Sequence, residues 1–258
     1  MDIQILRAFE DNYIWLLRDG HRIVVVDPGD EAPVLQYLAD EKASLAAILL
    51  THHHGDHTGG VAGLLARHPA PVYGPAGEPI AEITVPLREG DTVDLPGFQM
   101  QLRVIDVPGH TRGHIAYYGV AKGEGVLFCG DTLFGCGCGR LFEGTAAQMW
   151  ASLGKLTALP GDTRVYCAHE YTQSNLRFAL ALEPGNAALQ ARATQVAQLR
   201  AGDRPTVPFT LAEELETNPF LRGAQAEVAA AAERHCGARL SGADEVFAVL
   251  REWKNSYR

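Results

Sequence analysis

The sequence has no excess of positive charge. Lys and Arg number 22 against 31 Asp and Glu, a formal net charge of −9. That balance argues against a general nucleic-acid binder or a protein that coats anionic membranes. Long hydrophobic runs are also missing. None approaches the roughly 20 apolar residues needed to span a bilayer, so no membrane segment is expected. Cysteine is scarce and odd in number, with five in 258 residues, and nothing resembles a disulfide framework. Free thiols in a reducing compartment are the expectation. The start, Met1-Asp2-Ile3-Gln4, lacks a basic segment followed by an apolar one, so a cytoplasmic location is expected. Two catalytic signatures are absent as well: a Gly-x-Ser-x-Gly nucleophile elbow and a glycine-rich phosphate loop after a strand.

What the sequence does have is concentrated in residues 50–60: Leu50-Thr51-His52-His53-His54-Gly55-Asp56-His57-Thr58-Gly59-Gly60. Four histidines and an aspartate fall within six positions, directly after the apolar run Ala46-Ala47-Ile48-Leu49-Leu50. A core could not bury such a cluster uncompensated. Imidazole and carboxylate together suit a borderline divalent ion such as zinc, iron or manganese. In an extended segment residues two apart point the same way, so His52 and His54 can reach one ion. Asp56 and His57 follow where Gly55 lets the chain turn, and can face a second point nearby. His53, between them, should point away.

At 258 residues, 47% hydrophobic and 21% charged, the chain can fill one large or two modest cores. Residues 3–9, 12–17 and 22–26 read as strands, with a hairpin turn at Asp19-Gly20. Asp27-Pro28-Gly29-Asp30 stops the third strand, and residues 33–39 look helical. Asp27 could support a metal site from behind or simply cap the turn. Residues 46–50 form a short strand covered on both faces, and 61–68 a helix. A short strand at 71–74 follows, then a hairpin of residues 91–95 and 98–107 across Pro96-Gly97. Residues 104–107 lead into Pro108-Gly109-His110, residues 125–129 into Gly130-Asp131, and residues 164–167 into Ala168-His169. Four apolar strands thus each end in a residue able to bind metal. Strand ends on a rigid sheet position ligands well.

After residue 170 the pattern becomes helical. Apolar residues recur at three- and four-residue spacings over 175–182, 187–199, 224–235 and 244–253, separated by Pro184-Gly185, Gly202-Asp203-Arg204-Pro205 and Gly237. Two parts are expected, one over residues 1–169 and a helical one over 170–258. Cys136-x-Cys138 is spaced too tightly for the usual metal or redox pair. His114 could support the site or pack in the core; His21, His68 and His235 read as ordinary histidines.

Thr51-His52-x-His54-x-Asp56-His57, with His110, Asp131 and His169, resembles the pattern of the metallo-β-lactamase superfamily. Asp11-Asn12-Tyr13, the stretch from Cys136 to Thr145, Tyr166-Cys167-Ala168-His169-Glu170-Tyr171-Thr172 and Thr217-Asn218-Pro219-Phe220-Leu221-Arg222 are similar to its hydroxyacylglutathione hydrolase (glyoxalase II) branch. The resemblance covers essentially the whole chain. It implies an α/β fold, a four-layer αβ/βα sandwich with a C-terminal α-helical domain. It also implies two divalent ions, with zinc favoured over iron or manganese. His52, His54 and His110 would hold the first, Asp56, His57 and His169 the second, and Asp131 would bridge them. A glutathione site would map onto Arg140, Phe142, Tyr171, Arg251 and Lys254. Some relatives carry Lys in place of Arg140 and Tyr in place of Phe142.

The activity so implied is hydrolysis of S-D-lactoylglutathione and related 2-hydroxyacylglutathiones to the hydroxy acid and glutathione, the second step of methylglyoxal detoxification. Asp56 and Asp131 would be the catalytic carboxylates. A hydroxide made available near pH 7 by the ions would attack the thioester carbonyl. The thiolate, whose parent thiol has a pKa of about 8.5, leaves without a general acid. An acidic protein needs Arg140, Arg251 and Lys254 as a local positive patch for the two carboxylates of glutathione. The other readings are a mononuclear iron persulfide dioxygenase or a lactonase on the same fold, or a non-catalytic binding module. The expected partner is a small glutathione thioester, with no nucleic acid, no membrane and a monomeric chain.

Overall fold

Strands with both faces covered are apolar on both faces, and β2 (Asn12–Asp19), β3 (Arg22–Val26) and β4 (Ser44–Leu49) are so over residues 13–17, 23–26 and 45–49, with polar residues only at their ends. A computed structural model, which describes residues 1–95, 97–98 and 100–257, shows how they divide their side chains. Tyr13, Trp15, Leu17, Val24, Val26, Ala47 and Leu49 enter one cluster. Ile14, Leu16, Ile23, Val25 and Ile48, alternating with them, enter another. That second cluster includes Val34 and Leu38 of α1 (Glu31–Asp40) and Val61 and Leu64 of α3 (Val61–Arg67). Between β4 and α3 lies the single helical turn α2 (Gly55–Thr58).

The first sheet runs β1 (Asp2–Ala8), β2, β3, β4, β5 (Val72–Pro75), β6 (Val85–Leu87). Its first three strands are antiparallel hairpins and the rest are parallel. The second sheet comprises β7 (Thr92–Asp94), β8 (Gln101–Asp106), β9 (Ile115–Ala121), β10 (Glu124–Gly130), β13 (Arg164–Cys167) and β14 (Phe209–Thr210). Its order is β14-β13-β10-β9-β8-β7. Leu102, Val104 and Tyr117 meet the inner residues of the first sheet in one cluster. Met149 and Leu153 of α4 (Ala146–Thr157) and Phe247 and Leu250 of α9 (Ala243–Ser256) join the same cluster. The layers are therefore helix, sheet, sheet, helix. A small ribbon, β11 (Leu133–Phe134) with β12 (Gly137–Cys138), stands beside them.

After β13 come α5 (Thr172–Leu182), α6 (Ala187–Ala201), β14, α7 (Leu211–Thr217), a 3₁₀ turn (Pro219–Leu221), α8 (Ala226–Cys236) and α9. The C-terminal part is not helical alone. Phe209 pairs with Val165 at the edge of the second sheet, because its apolar ring is buried in that core. Two residues are too few to show a strand period, so this strand was not expected. Three longer elements were not expected either: β9, α4 and α7. For α4 a signal existed. Thr145 and Gln148 form a capping box, with Gln148 N–H donating to Thr145 Oγ1 at 3.2 Å and Thr145 N–H to Gln148 Oε1 at 2.9 Å. The hairpin of β7 and β8 is present, but Pro96 and Gln99 between them, like Arg258, lie outside the described residues. All five cysteines are free thiols.

Candidate metal centre and substrate cavity

The four expected strand ends converge at one edge of the two sheets. β4 delivers His52, His54, Asp56 and His57, β8 delivers His110, β10 delivers Asp131, and β13 delivers His169. His52 Nε2 lies 3.1 Å from His54 Nδ1, which lies 3.0 Å from His110 Nε2. His169 Nε2 is 3.4 Å from Asp56 Oδ2, and His57 Nε2 is 3.6 Å from the same oxygen. Asp131 stands between the groups. Its Oδ1 is 3.4 Å from both His57 Nε2 and His169 Nε2, and its Oδ2 is 3.3 Å from His110 Nε2. Donor atoms about 2.0–2.1 Å from one ion at a tetrahedral angle stand about 3.3 Å apart. The observed spacings match that figure.

The tautomers suit a cation too. His110 Nδ1–H donates to the Arg140 carbonyl at 2.9 Å. His57 Nδ1 faces Asp27 Oδ2 at 3.1 Å, and His169 Nδ1 faces Asp11 Oδ1 at 2.8 Å. The Thr51 hydroxyl donates to Asp27 at 2.7 Å, so its oxygen is free to accept from His52 Nδ1 at 3.1 Å. Each of these rings has an acceptor for a proton on its outward nitrogen and turns its other nitrogen to the centre, the orientation of metal-binding imidazoles. His57 Nε2 and Asp131 Oδ1 are buried with no hydrogen-bond partner, which would be costly unless a cation sat between them.

The electrostatics agree. Burial holds His52, His54 and His110 below the ordinary histidine value, so they stay neutral and able to ligate. Burial opposes charge on His57 and His169 as well, but Asp131 outweighs it, helped by Asp27 for the first and Asp11 for the second, and both are raised. Asp131 is held well below the carboxylate range: burial works against this, and His169 and His57 overcome it. Asp56 is lowered chiefly by its contact with His169. Two ionised carboxylates sunk among these imidazoles thus favour a positive charge at the centre.

Of the two readings of Asp27, the structure gives the supporting one. Its carboxylate also accepts from Thr51 N–H at 2.8 Å. His114 stacks on His52 at 4.6 Å and accepts from Asp131 N–H at 3.1 Å. His53 does point away, into the carboxylate of Glu78, which also accepts from Thr111 and Gly113 on the loop that carries His110. Asp11 and Glu78 were not singled out in the sequence as supports. Neither lies near its partner in the chain, so no spacing could have marked them.

A cavity of about 700 Å³ opens from the centre. Arg140, Phe142, Tyr171, Arg251 and Lys254 all line it. Tyr171 stacks on His169 at 4.7 Å. Phe142 is 63% exposed at the mouth and meets His54 and His110 edge-on at 5.6 and 5.3 Å. Arg251 is buried, donating to the Cys138 carbonyl at 2.7 Å and lying over Phe220. Part of its guanidinium is therefore committed to the fold. Lys254, half-buried, is held below the ordinary lysine value by burial and by Arg251, Arg177 and Arg140. The cavity is a cationic pocket in an acidic protein. Ser174 and Asn175 on α5 also line it and were not anticipated. Cys138 lines it as well, but its thiol is buried and raised, and that of Cys136 is pushed up to about 12 by burial.

This double-sheet sandwich, with histidines and aspartates at one edge, defines a metallo-β-lactamase-fold metalloprotein, and residues 8–169 match the metallo-beta-lactamase superfamily. Residues 170–257 match the hydroxyacylglutathione hydrolase C-terminus, and the chain belongs to the hydroxyacylglutathione hydrolase family of that superfamily. It is 56% identical to the hydroxyacylglutathione hydrolase of Cupriavidus taiwanensis, over 100% of both chains. With that of Dechloromonas aromatica it shares 53% identity, again over 100% of both. Among solved structures it is similar to ETHE1 from Myxococcus xanthus, with 28% identity and a TM-score of 0.70 over 100% of this chain and 93% of the other. It is also similar to TTHA1623 in a di-iron-bound form, with 31% identity and a TM-score of 0.53 over 66% of this chain and 92% of the other.

Proposed function

We propose that this chain hydrolyses S-D-lactoylglutathione and related 2-hydroxyacylglutathiones to the hydroxy acid and glutathione, with two divalent ions, zinc foremost. His52, His54 and His110 would hold one ion, Asp56, His57 and His169 the other, and Asp131 both. The observation that carries the reading is Asp131, which turns one oxygen to each group of imidazoles beside a cation-lined cavity. The names of the full-length relatives support the substrate class, and the di-iron form of TTHA1623 supports two ions. The two family matches meet between residues 169 and 170, which supports a catalytic domain up to 169 and a substrate-binding domain beyond it.

Bound ions would lower the pKa of a water and polarise the thioester carbonyl. The chain's own residues then do the following. Arg140, Arg251 and Lys254 attract the carboxylates of glutathione. Phe142 and Tyr171 wall the pocket and bring the carbonyl toward Asp131. Asp56 Oδ2, oriented by the Asn12 amide at 3.1 Å, accepts the hydrogen bond that aims the attacking water. As its oxygen adds to the carbonyl carbon, with one proton lost to solvent, the C–S bond breaks, and the thiolate leaves unaided because a thiol of pKa about 8.5 is acidic enough for its anion to be a good leaving group.

Thiol release from S-D-lactoylglutathione, with elemental analysis of the same sample, tests this. The expected result is turnover with two ions per chain, and loss of about a thousand-fold in rate and of bound metal in Asp131→Ala. A protein that held two ions but was inert toward acylglutathiones would refute the substrate.

A further inference from the structure

A second cavity, of about 450 Å³, meets the first at Gly55 and Asp56. Its other lining residues are Phe9, Glu10, Asp11 and Asn12, the turn between β1 and β2 and the first residue after it. We propose that this turn is the acyl-group subsite: an apolar wall, Phe9, with an acidic rim that admits neutral acyl groups and disfavours those bearing a second carboxylate. The proposal deepens the thioesterase reading above and rests on it.

Three observations lead here. The two cavities differ in charge. Beyond the Asp56 and Asp131 carboxylates of the centre the larger adds Arg140, Arg251 and Lys254, whereas the smaller, sharing Asp56, adds Glu10 and Asp11 and has no Lys or Arg in its lining. A glutathione thioester has two carboxylates on the sulfur side of its carbonyl, and these suit only the larger cavity. With the carbonyl at Asp131 and Asp56, the acyl chain extends toward the smaller one.

Phe9 is also out of place for a mere turn residue. It is 61% exposed and takes a left-handed backbone, φ 52°, which an aromatic side chain rarely adopts. Backbone held in such a region clusters at binding sites. A ring in that position offers an apolar surface to a ligand that passes Asp56.

The turn is, finally, tied to the centre. Asp11 Oδ1 lies 2.8 Å from His169 Nδ1, Glu170 N–H donates to the Asp11 carbonyl at 2.9 Å, and Asn12 Nδ2–H donates to Asp56 at 3.1 Å. Asp11 is engaged by His169, so Glu10, exposed at the tip, is the carboxylate that a charged acyl group meets first.

The test compares S-succinylglutathione with its neutral succinamoyl counterpart on the metal-loaded enzyme. The wild type should cleave the neutral thioester with about fivefold higher kcat/KM, a ratio typical of one partly screened charge contact. Glu10→Lys should reverse that preference, with Glu10→Gln between. Phe9→Ala should lower kcat/KM for S-mandeloylglutathione about fivefold relative to S-lactoylglutathione, since only the former carries a ring to rest on Phe9. The inhibition constant of free glutathione, which reaches only the larger cavity, should hold in all three. Equal wild-type rates, ratios unmoved by the substitutions, or an equal shift in glutathione inhibition would overturn the subsite while leaving the thioesterase reading intact. A wild type that cleaves no acylglutathione would bring down both.

Discussion

Asp27 holds three groups at once, the Thr51 N–H, the Thr51 hydroxyl and His57 Nδ1, from a left-handed backbone of φ 51°. Asp27→Asn keeps a side chain that tolerates that backbone but turns an NH₂ toward a donor. We expect metal affinity to fall about 10- to 100-fold, read by competition with a chromogenic chelator, with the circular dichroism unchanged. Lys254 supplies a prediction of a different kind. Burial and three neighbouring arginines hold its ammonium below the ordinary lysine value. As pH rises through that lowered value a cation leaves the substrate pocket, so KM should climb on the alkaline side earlier than a free lysine would allow. Lys254→Arg, which stays charged, should remove the climb; initial rates with spontaneous hydrolysis subtracted would show it.

Among the elements, the ribbon of β11 and β12 is held from beneath by a buried ion pair. Glu214 Oε1 is 2.5 Å from Arg192 Nη2, while Glu214 Oε2 accepts from Cys136 N–H at 2.9 Å and Asn218 Nδ2–H at 2.8 Å. Removing Glu214 leaves the buried Arg192 with only the more distant Glu213 carboxylate, at 3.4 Å, so Glu214→Ala should cost about 3 kcal/mol in urea unfolding. The ribbon also carries Cys138, whose carbonyl receives Arg251, so a rise in KM should accompany the loss. The end of β10 makes a sharper demand. Gly130 has φ 46°, and a Cβ there would stand 2.3 Å from Thr51 Oγ1 and 2.9 Å from the His114 ring. Gly130→Ala should therefore displace the Asp131 loop and abolish metal binding and activity together. Four of the helices after residue 170, α5, α6, α8 and α9, were legible from apolar spacing because each buries one stripe; α7 was not. β9 and β14 were not: β9 carries Gly119 and two tyrosines in place of a continuous apolar run, and β14 is two residues long.

For the whole molecule, metal and fold should be linked. The centre joins loops after β4, β8, β10 and β13, strands of both sheets, so an ion that binds only the folded chain stabilises the entire sandwich. At a metal concentration about a thousand times Kd the gain is about 4 kcal/mol; chelation should lower Tm and restoring zinc should recover it. The net charge of −9 gives glutathione no general attraction. No helix among the described residues is long and apolar enough to cross a membrane.

By itself the sequence determined the candidate ligands and their class of chemistry. His52-x-His54-x-Asp56-His57 is local, and His110, Asp131 and His169 each follow an apolar run, so both features survive in one dimension. Only the tertiary structure decided what surrounds them. Asp11 reaches His169 across 158 positions, and Asp27 reaches His57 across 30. Phe9 and Asp56 line one cavity, and β14 returns to the edge of the second sheet. Such contacts depend on which strands lie next to each other, and hydrogen bonds between distant segments impose no period on the chain that forms them.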